Sequence, residues 1–195
     1  VLGGALTVGP VAFEQYDFLR VPAGAPVGPI ASADGAEMLV FFDGPARPVE
    51  SDAPAEPSAW QIVDTSEQSW ASSVVTREAG QEIPIEIMHF KNDPETGART
   101  HLVRAYAGTV VPWESHDAAE EGYLVKGRHS MDECLPDGVK RVTYEAGGYF
   151  YRIGGPLHMG PDSPFTEETI WLIRTPEPII VTFHESCPTA DAAKN

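Results

Sequence analysis

Short runs of β-branched and aromatic residues recur along the chain, each closed by Gly, Pro, Asp or Asn. They predict strands at Glu37–Phe42, Ile83–Phe90, Thr100–Tyr106, Gly122–Val125, Lys140–Tyr144, Tyr149–Ile153, Ile170–Ile173 and Ile179–His184. No stretch repeats apolar residues at helical spacing over any length. Alternation within Thr100–Tyr106 puts His101, Val103 and Ala105 on one face and Leu102, Arg104 and Tyr106 on the other, without settling which faces inward. Asp93–Gly97 (DPETG) reads as a turn between two of these strands. Many short strands separated by turn residues predict an all-β sandwich or barrel. Gly44–Ser58 (GPARPVESDAPAEPS) lacks strand periodicity and reads as a linker.

Composition narrows the partners. The 195 residues hold 13 basic and 29 acidic side chains, a formal net charge of −16. Phosphate-backbone binding draws on Lys and Arg that displace counterions, so nucleic acid is excluded as a partner, and an anionic membrane surface with it. With 42% hydrophobic and 22% charged residues, the chain is globular. No apolar run reaches a membrane span, and the N-terminus lacks the layout of a signal peptide, so a cytoplasmic location is expected. The chain begins at Val1, which leaves open a preceding segment with a signal of its own. Cys134 and Cys187 are too few for a disulfide framework and are read as free thiols.

The chain also compares with itself. At one constant offset Phe18, Arg20, Gly28 and Pro29 fall on Phe150, Arg152, Gly160 and Pro161, and Met38–Phe41 falls on Ile170–Ile173. The shared order, a strand, a Pro/Gly turn and a second strand, predicts a duplication whose first copy is partial.

Candidate chemistry lies in the second copy. Glu114-Ser115-His116-Asp117-Ala118-Ala119-Glu120 is followed, six residues on, by Gly127, and Gly147 leads through Gly155 to His158. These segments resemble the two signature motifs of the cupin superfamily: H-x-H, three or four residues, Glu, six residues, Gly; then Gly, five residues, Pro-x-Gly, two residues, His. Glu114 stands in place of the first His, and Ile153 in place of the Pro. The resemblance covers about Trp60–Cys187. It implies an all-β cupin double-stranded β-helix, a jelly-roll barrel, with a partial second cupin repeat at the N-terminus. The expected domains are 1–49 (partial repeat, no metal motif), 50–59 (linker), 60–188 (complete barrel) and 189–195 (tail).

The expected metal ligands are His116, Glu120, His158 and Glu114. Two imidazoles and a carboxylate suit one divalent ion, Fe(II) first, with Mn(II), Ni(II) or Zn(II) as alternatives, and they match the facial triad of non-haem Fe(II) oxygenases. Glu114 is expected as a fourth ligand that adds negative charge. Read singly, each residue also has a bland account: Glu114, Asp117, Glu120 and Glu121 make an acidic run of the kind that is usually a solvated turn. Further catalytic candidates are His101, Tyr123 and Tyr151. Arg104 and Arg152 are possible anchors for an anionic substrate, although the match of Arg152 to Arg20 argues for a structural ion pair. His89, His129 and His184 are read as surface or strand residues without function. The expected activity is that of an oxygenase on a small-molecule substrate. The alternatives are a Lewis-acid isomerase, lyase or decarboxylase, and a non-catalytic sensing or binding barrel. A homodimer is the expected assembly.

Overall fold

The Gly- and Pro-bounded runs fold as strands in a computed structural model of the chain, which describes residues 1–42, 44, 55–76 and 82–188. Most of the expected linker and the 189–195 tail lie outside the described residues. The chain divides into two compact units, Val1–Ser69 and Trp70–Asn195.

Unit 1 holds β1 (Gly3–Gly4), β2 (Leu6–Val8), β3 (Val11–Phe13), β4 (Phe18–Arg20), β5 (Ile30–Ala31), β6 (Ala36–Glu37) and β7 (Gln61–Val63). They form the small sheets β1-β6, β3-β2-β5 and β4-β7 around Leu6, Val8, Phe13 and Trp60. Residues 60–69, placed in the barrel from sequence, belong to this unit because Phe18–Arg20 pairs with Gln61–Val63 and the Asp17 carboxylate accepts the Thr65 backbone N–H at 2.8 Å. Of the internal matches, Phe18 and Arg20 lie on a strand like their counterparts, and Gly28 and Gly160 both have positive φ. Met38–Phe41 differs from Ile170–Ile173: the expected strand at Glu37–Phe42 stops at Glu37.

Unit 2 is the barrel. Its strands are β8 (Ala71–Thr76), β9 (Glu82–Asn92), β10 (Arg99–Ala105), β11 (Trp113–His116), β12 (Glu120–Lys126), β13 (Arg128–Leu135), β14 (Gly138–Glu145), β15 (Tyr149–Arg152), β16 (His158–Met159), β17 (Thr169–Thr175) and β18 (Val181–His184). One antiparallel sheet runs β15-β12-β17-β10-β9-β8 and the other β14-β13-β16-β11-β18. Their inner faces meet over Leu124, Met131, Trp171 and Ile173, a cluster drawn from both sheets. This is the jelly-roll arrangement expected from the sequence.

Local chemistry explains the turns. The Asp93 side chain accepts the Glu95 and Thr96 N–H groups and Gly97 closes onto the Asp93 carbonyl, so DPETG joins β9 to β10 as expected. Gly127 turns β12 into β13 at φ +85°, and an added Cβ there would stand 2.5 Å from the Glu168 carbonyl oxygen. Gly at this motif position is therefore a steric requirement.

The cysteines correct the free-thiol reading. Cys134, on β13, and Cys187, just after β18, form a disulfide with Cα atoms 5.7 Å apart. They lie 53 residues apart, so only the return of β18 beside β11 brings them together, and their spacing in the chain carries no signal of it. Among the described residues no helix is long and apolar enough to cross a membrane.

Peptide mapping without reductant is expected to recover Cys134 and Cys187 in one linked fragment. Leu124 is fully buried, and Leu124→Ala is expected to cost about 2–5 kcal/mol in denaturant unfolding; a cost below about 1 kcal/mol would contradict this account of the core.

Candidate metal centre

Two polar rows face each other across one end of the barrel. On the five-stranded sheet, strand pairing sets Glu114 directly opposite His158 on one side and Phe183 on the other, while His158 in turn faces Glu133. Glu114 and His116 are two apart on β11 and so share its inner face. On the six-stranded sheet Glu120 pairs with Arg152, and Arg99 pairs with Thr175. Glu121 pairs with Arg174, which brings Glu120 alongside Thr175.

Glu114 Oε1 lies 3.4 Å from His158 Nε2 and 3.9 Å from His116 Nε2. One donor atom from each residue falls within 4.8 Å of the others, and the two imidazoles meet edge to face at 4.9 Å. Metal–ligand bonds of about 2.0–2.2 Å place neighbouring donors about 3–3.5 Å apart, so the three residues fit a divalent ion after an inward adjustment of about an ångström. His158 Nδ1 lies 3.2 Å from the Pro156 carbonyl oxygen, which selects the tautomer that leaves Nε2 free towards Glu114. The residue after His158, Met159, holds a left-handed φ of 72°, so the short strand that carries His158 turns away at once.

Glu120 occupies a different place from the ligand position expected of it. Its carboxylate faces the other ring nitrogen of His116, Nδ1, at 3.4 Å, and reaches Arg152 at 3.5 Å. Arg152 also donates to Glu133 at 2.6 Å and lies over the Phe150 ring, which makes it part of a structural ion-pair network. Burial opposes the charged form of His116, but Glu120 and Glu114 outweigh it and raise the pKa. Burial would likewise raise Glu120, 7% exposed, yet His116, His158 and Arg152 hold it below the usual carboxylate range.

A cavity of about 310 Å³ opens beside these groups. Ile87, Val103, Met131, Phe150, Trp171 and Ile173 form much of its wall. His101 lines it, which settles the inner face of β10. Tyr123 and Tyr151 do not line it, a correction to their expected catalytic role. Alternation turns Glu120, Gly122 and Leu124 inward and Tyr123 outward, and Tyr151 is 62% exposed. Arg104 also lies on the outer face, stacked on Trp70 and paired with Glu86. His184 Nε2 sits 2.9 Å from Ser115 Oγ.

His129 was passed over in the sequence and is neither exposed nor peripheral. It is 1% exposed, lines the cavity and stacks on Phe165 at 3.8 Å, with neither ring nitrogen hydrogen-bonded. Its signal was the alternation of His129, Met131 and Glu133 along one face of β13, obscured by the polar residues between them.

No protein-family profile and no curated protein matches the chain. Solved structures do resemble it. An RmlC-like cupin protein from Ralstonia eutropha is 20% identical over 60% of this chain and 69% of its own, with a TM-score of 0.45. A putative acetylacetone dioxygenase from Methylibium petroleiphilum is 21% identical over 70% and 85%, at 0.47. KdgF from Halomonas sp. is 16% identical over 59% and 92%, at 0.43. The chain's own strand order, two antiparallel sheets packed face to face, is that of a jelly-roll barrel. On its inner wall Glu114, His116 and His158 form a group able to hold a divalent metal ion.

Burial pushes both His129 and His101 down to about 4, His101 with help from the nearby charges of His89 and Arg99. The unfolded chain, with ordinary imidazoles near 6.5, binds more protons between those values, so stability falls as pH drops from about 6.5 towards 4. Ring chemical shifts are expected to titrate near 4 for both residues. His129→Phe, which keeps the stack on Phe165, should remove part of the acid-dependent loss; midpoints near 6.5 would contradict the burial described.

Proposed function

We propose that the barrel is a metal-dependent enzyme acting on a small organic molecule, with Fe(II)-dependent oxygenation as the chemistry its ligand set suits best. The observation that carries this reading is the convergence of Glu114 Oε1 with the Nε2 atoms of His116 and His158 beside an apolar cavity. Glu114, His116 and His158 would hold the ion with two imidazoles and one carboxylate, the composition of a facial triad, which leaves room for further ligands. Bound there, Fe(II) would supply the O2 and one-electron chemistry that side chains lack.

The chain's own residues do the rest. Glu114 places a negative charge among two neutral ligands. Glu120, held ionised by His116, His158 and Arg152, faces Nδ1 of His116 from behind and strengthens its Nε2 as a donor, as the Pro156 carbonyl does for His158. The apolar wall excludes bulk water and raises the strength of every charge at its polar end.

Protein purified without chelator is expected to hold about one metal ion per chain. The His116→Ala/His158→Ala double variant should hold none, while Glu120→Gln should bind about 10–100-fold more weakly. Stoichiometric metal in the double variant would overturn the assignment. After anaerobic Fe(II) reconstitution, oxygen uptake is expected with at least one of a panel of diketones, thiols and phenols. No uptake across the panel, with Zn(II) as the native ion, would replace oxygenation with Lewis-acid catalysis or ligand sensing.

A further inference from the structure

Arg99 is out of keeping with the other described arginines of the barrel. In a chain of net charge −16, Arg104, Arg128, Arg141, Arg152 and Arg174 each pair with a carboxylate. Arg99 lines the cavity and pairs with no acid among the described residues. Directly across the strand ladder stands Thr175, 3% exposed, a residue of the same cavity wall whose buried hydroxyl has no hydrogen-bond partner. Two residues along β10, on the same inner face, His101 presents a buried Nδ1 that also lacks a partner. A guanidinium, a hydroxyl and an imidazole thus converge from neighbouring strands. A buried polar atom left unpaired costs about 1–3 kcal/mol, so such a group calls for an occupant with acceptor atoms.

We propose that Arg99, Thr175 and His101 form a carboxylate-binding subsite, and that the substrate is a small monocarboxylic acid with an apolar body. The inference names the substrate class for the cavity read above as a substrate site, and it rests on that reading. Arg matches a carboxylate through two parallel N–H donors, and the Thr hydroxyl adds a third. Monoanions are preferred because Glu120 borders Thr175 and Glu114 faces the same cavity: their charge weighs more heavily against a dianion than against a single charge. An apolar body follows from Val103, Met131, Trp171 and Ile173, which line the space next to these donors. Arg152 does not compete for the acid, because Glu120 and Glu133 already neutralise it.

The test uses two probes of one shape, 3-phenylpropionate and 3-phenylpropionamide, titrated calorimetrically into Zn(II)-loaded and metal-depleted protein. Wild type is expected to bind the acid about tenfold or more tightly than the amide in both forms. Arg99→Gln, a substitution at an exposed position, should bring the two affinities within about twofold of each other while leaving the amide affinity and the melting temperature unchanged. Thr175→Val should weaken the acid several-fold. A preference that survives Arg99→Gln, or wild type that binds neither probe, overturns the subsite. The two readings fail separately. A Zn(II)-dependent preference indifferent to Arg99 keeps the metal enzyme and removes the subsite. An Arg99-dependent preference in protein that takes up no metal even when supplied with Zn(II) or Fe(II) keeps the subsite and removes the metal enzyme.

Discussion

Buried charge has to be matched by buried charge, and one end of the barrel is arranged around that constraint. Glu120 is enclosed between His116 and Arg152, Arg152 is tied to Glu133, Glu133 faces His158, and His158 faces Glu114. Removing one member would leave another uncompensated in a low-dielectric interior, a loss of several kcal/mol. The order of strands in both sheets serves this chain, because β15 and β12 must be neighbours for Arg152 to reach Glu120, and β16 must lie between β11 and β13. The same enclosure keeps two ring nitrogens aimed at one carboxylate, which is what a divalent ion requires.

Much of the fold was legible in the chain because the strands of the six-stranded sheet follow the hydrophobic rule. Thr100–Tyr106 matches β10 to within one residue at each end, Gly122–Val125 and Ile170–Ile173 sit inside β12 and β17, and the last is buried almost throughout. Three of the strands that hydrophobic patterning missed, β11, β13 and β16, carry most of the site. Their inward positions are Glu114, His116, His129, Glu133 and His158, so polar residues occupy places where an apolar run was sought.

Motif spacing recovered part of what hydrophobicity lost. It singled out Glu114, His116, Glu120 and His158, four residues that do come to one end of the barrel. It could not tell which ring nitrogen of His116 each carboxylate would face, and that geometry separates Glu114 from Glu120. Tyr123 and Tyr151 were chosen for their hydroxyls, but outward positions on β12 and β15 decide their surroundings. Arg99 and Thr175 carry no motif at all. Only the ladder that sets them opposite each other makes them a pair.

The Cys134–Cys187 bridge bears on how the site is assembled in time. His116 pairs with Val181 on β18, a contact between segments far apart in the chain, and folding slows as such separations lengthen. Oxidation joins β13 to the residue that follows β18, and so shortens the path through the covalent chain between those two partners by more than half. An oxidised chain therefore brings β18 to β11 by a shorter conformational search, and the wall that carries Glu114 and His116 closes earlier than it would with the cysteines reduced.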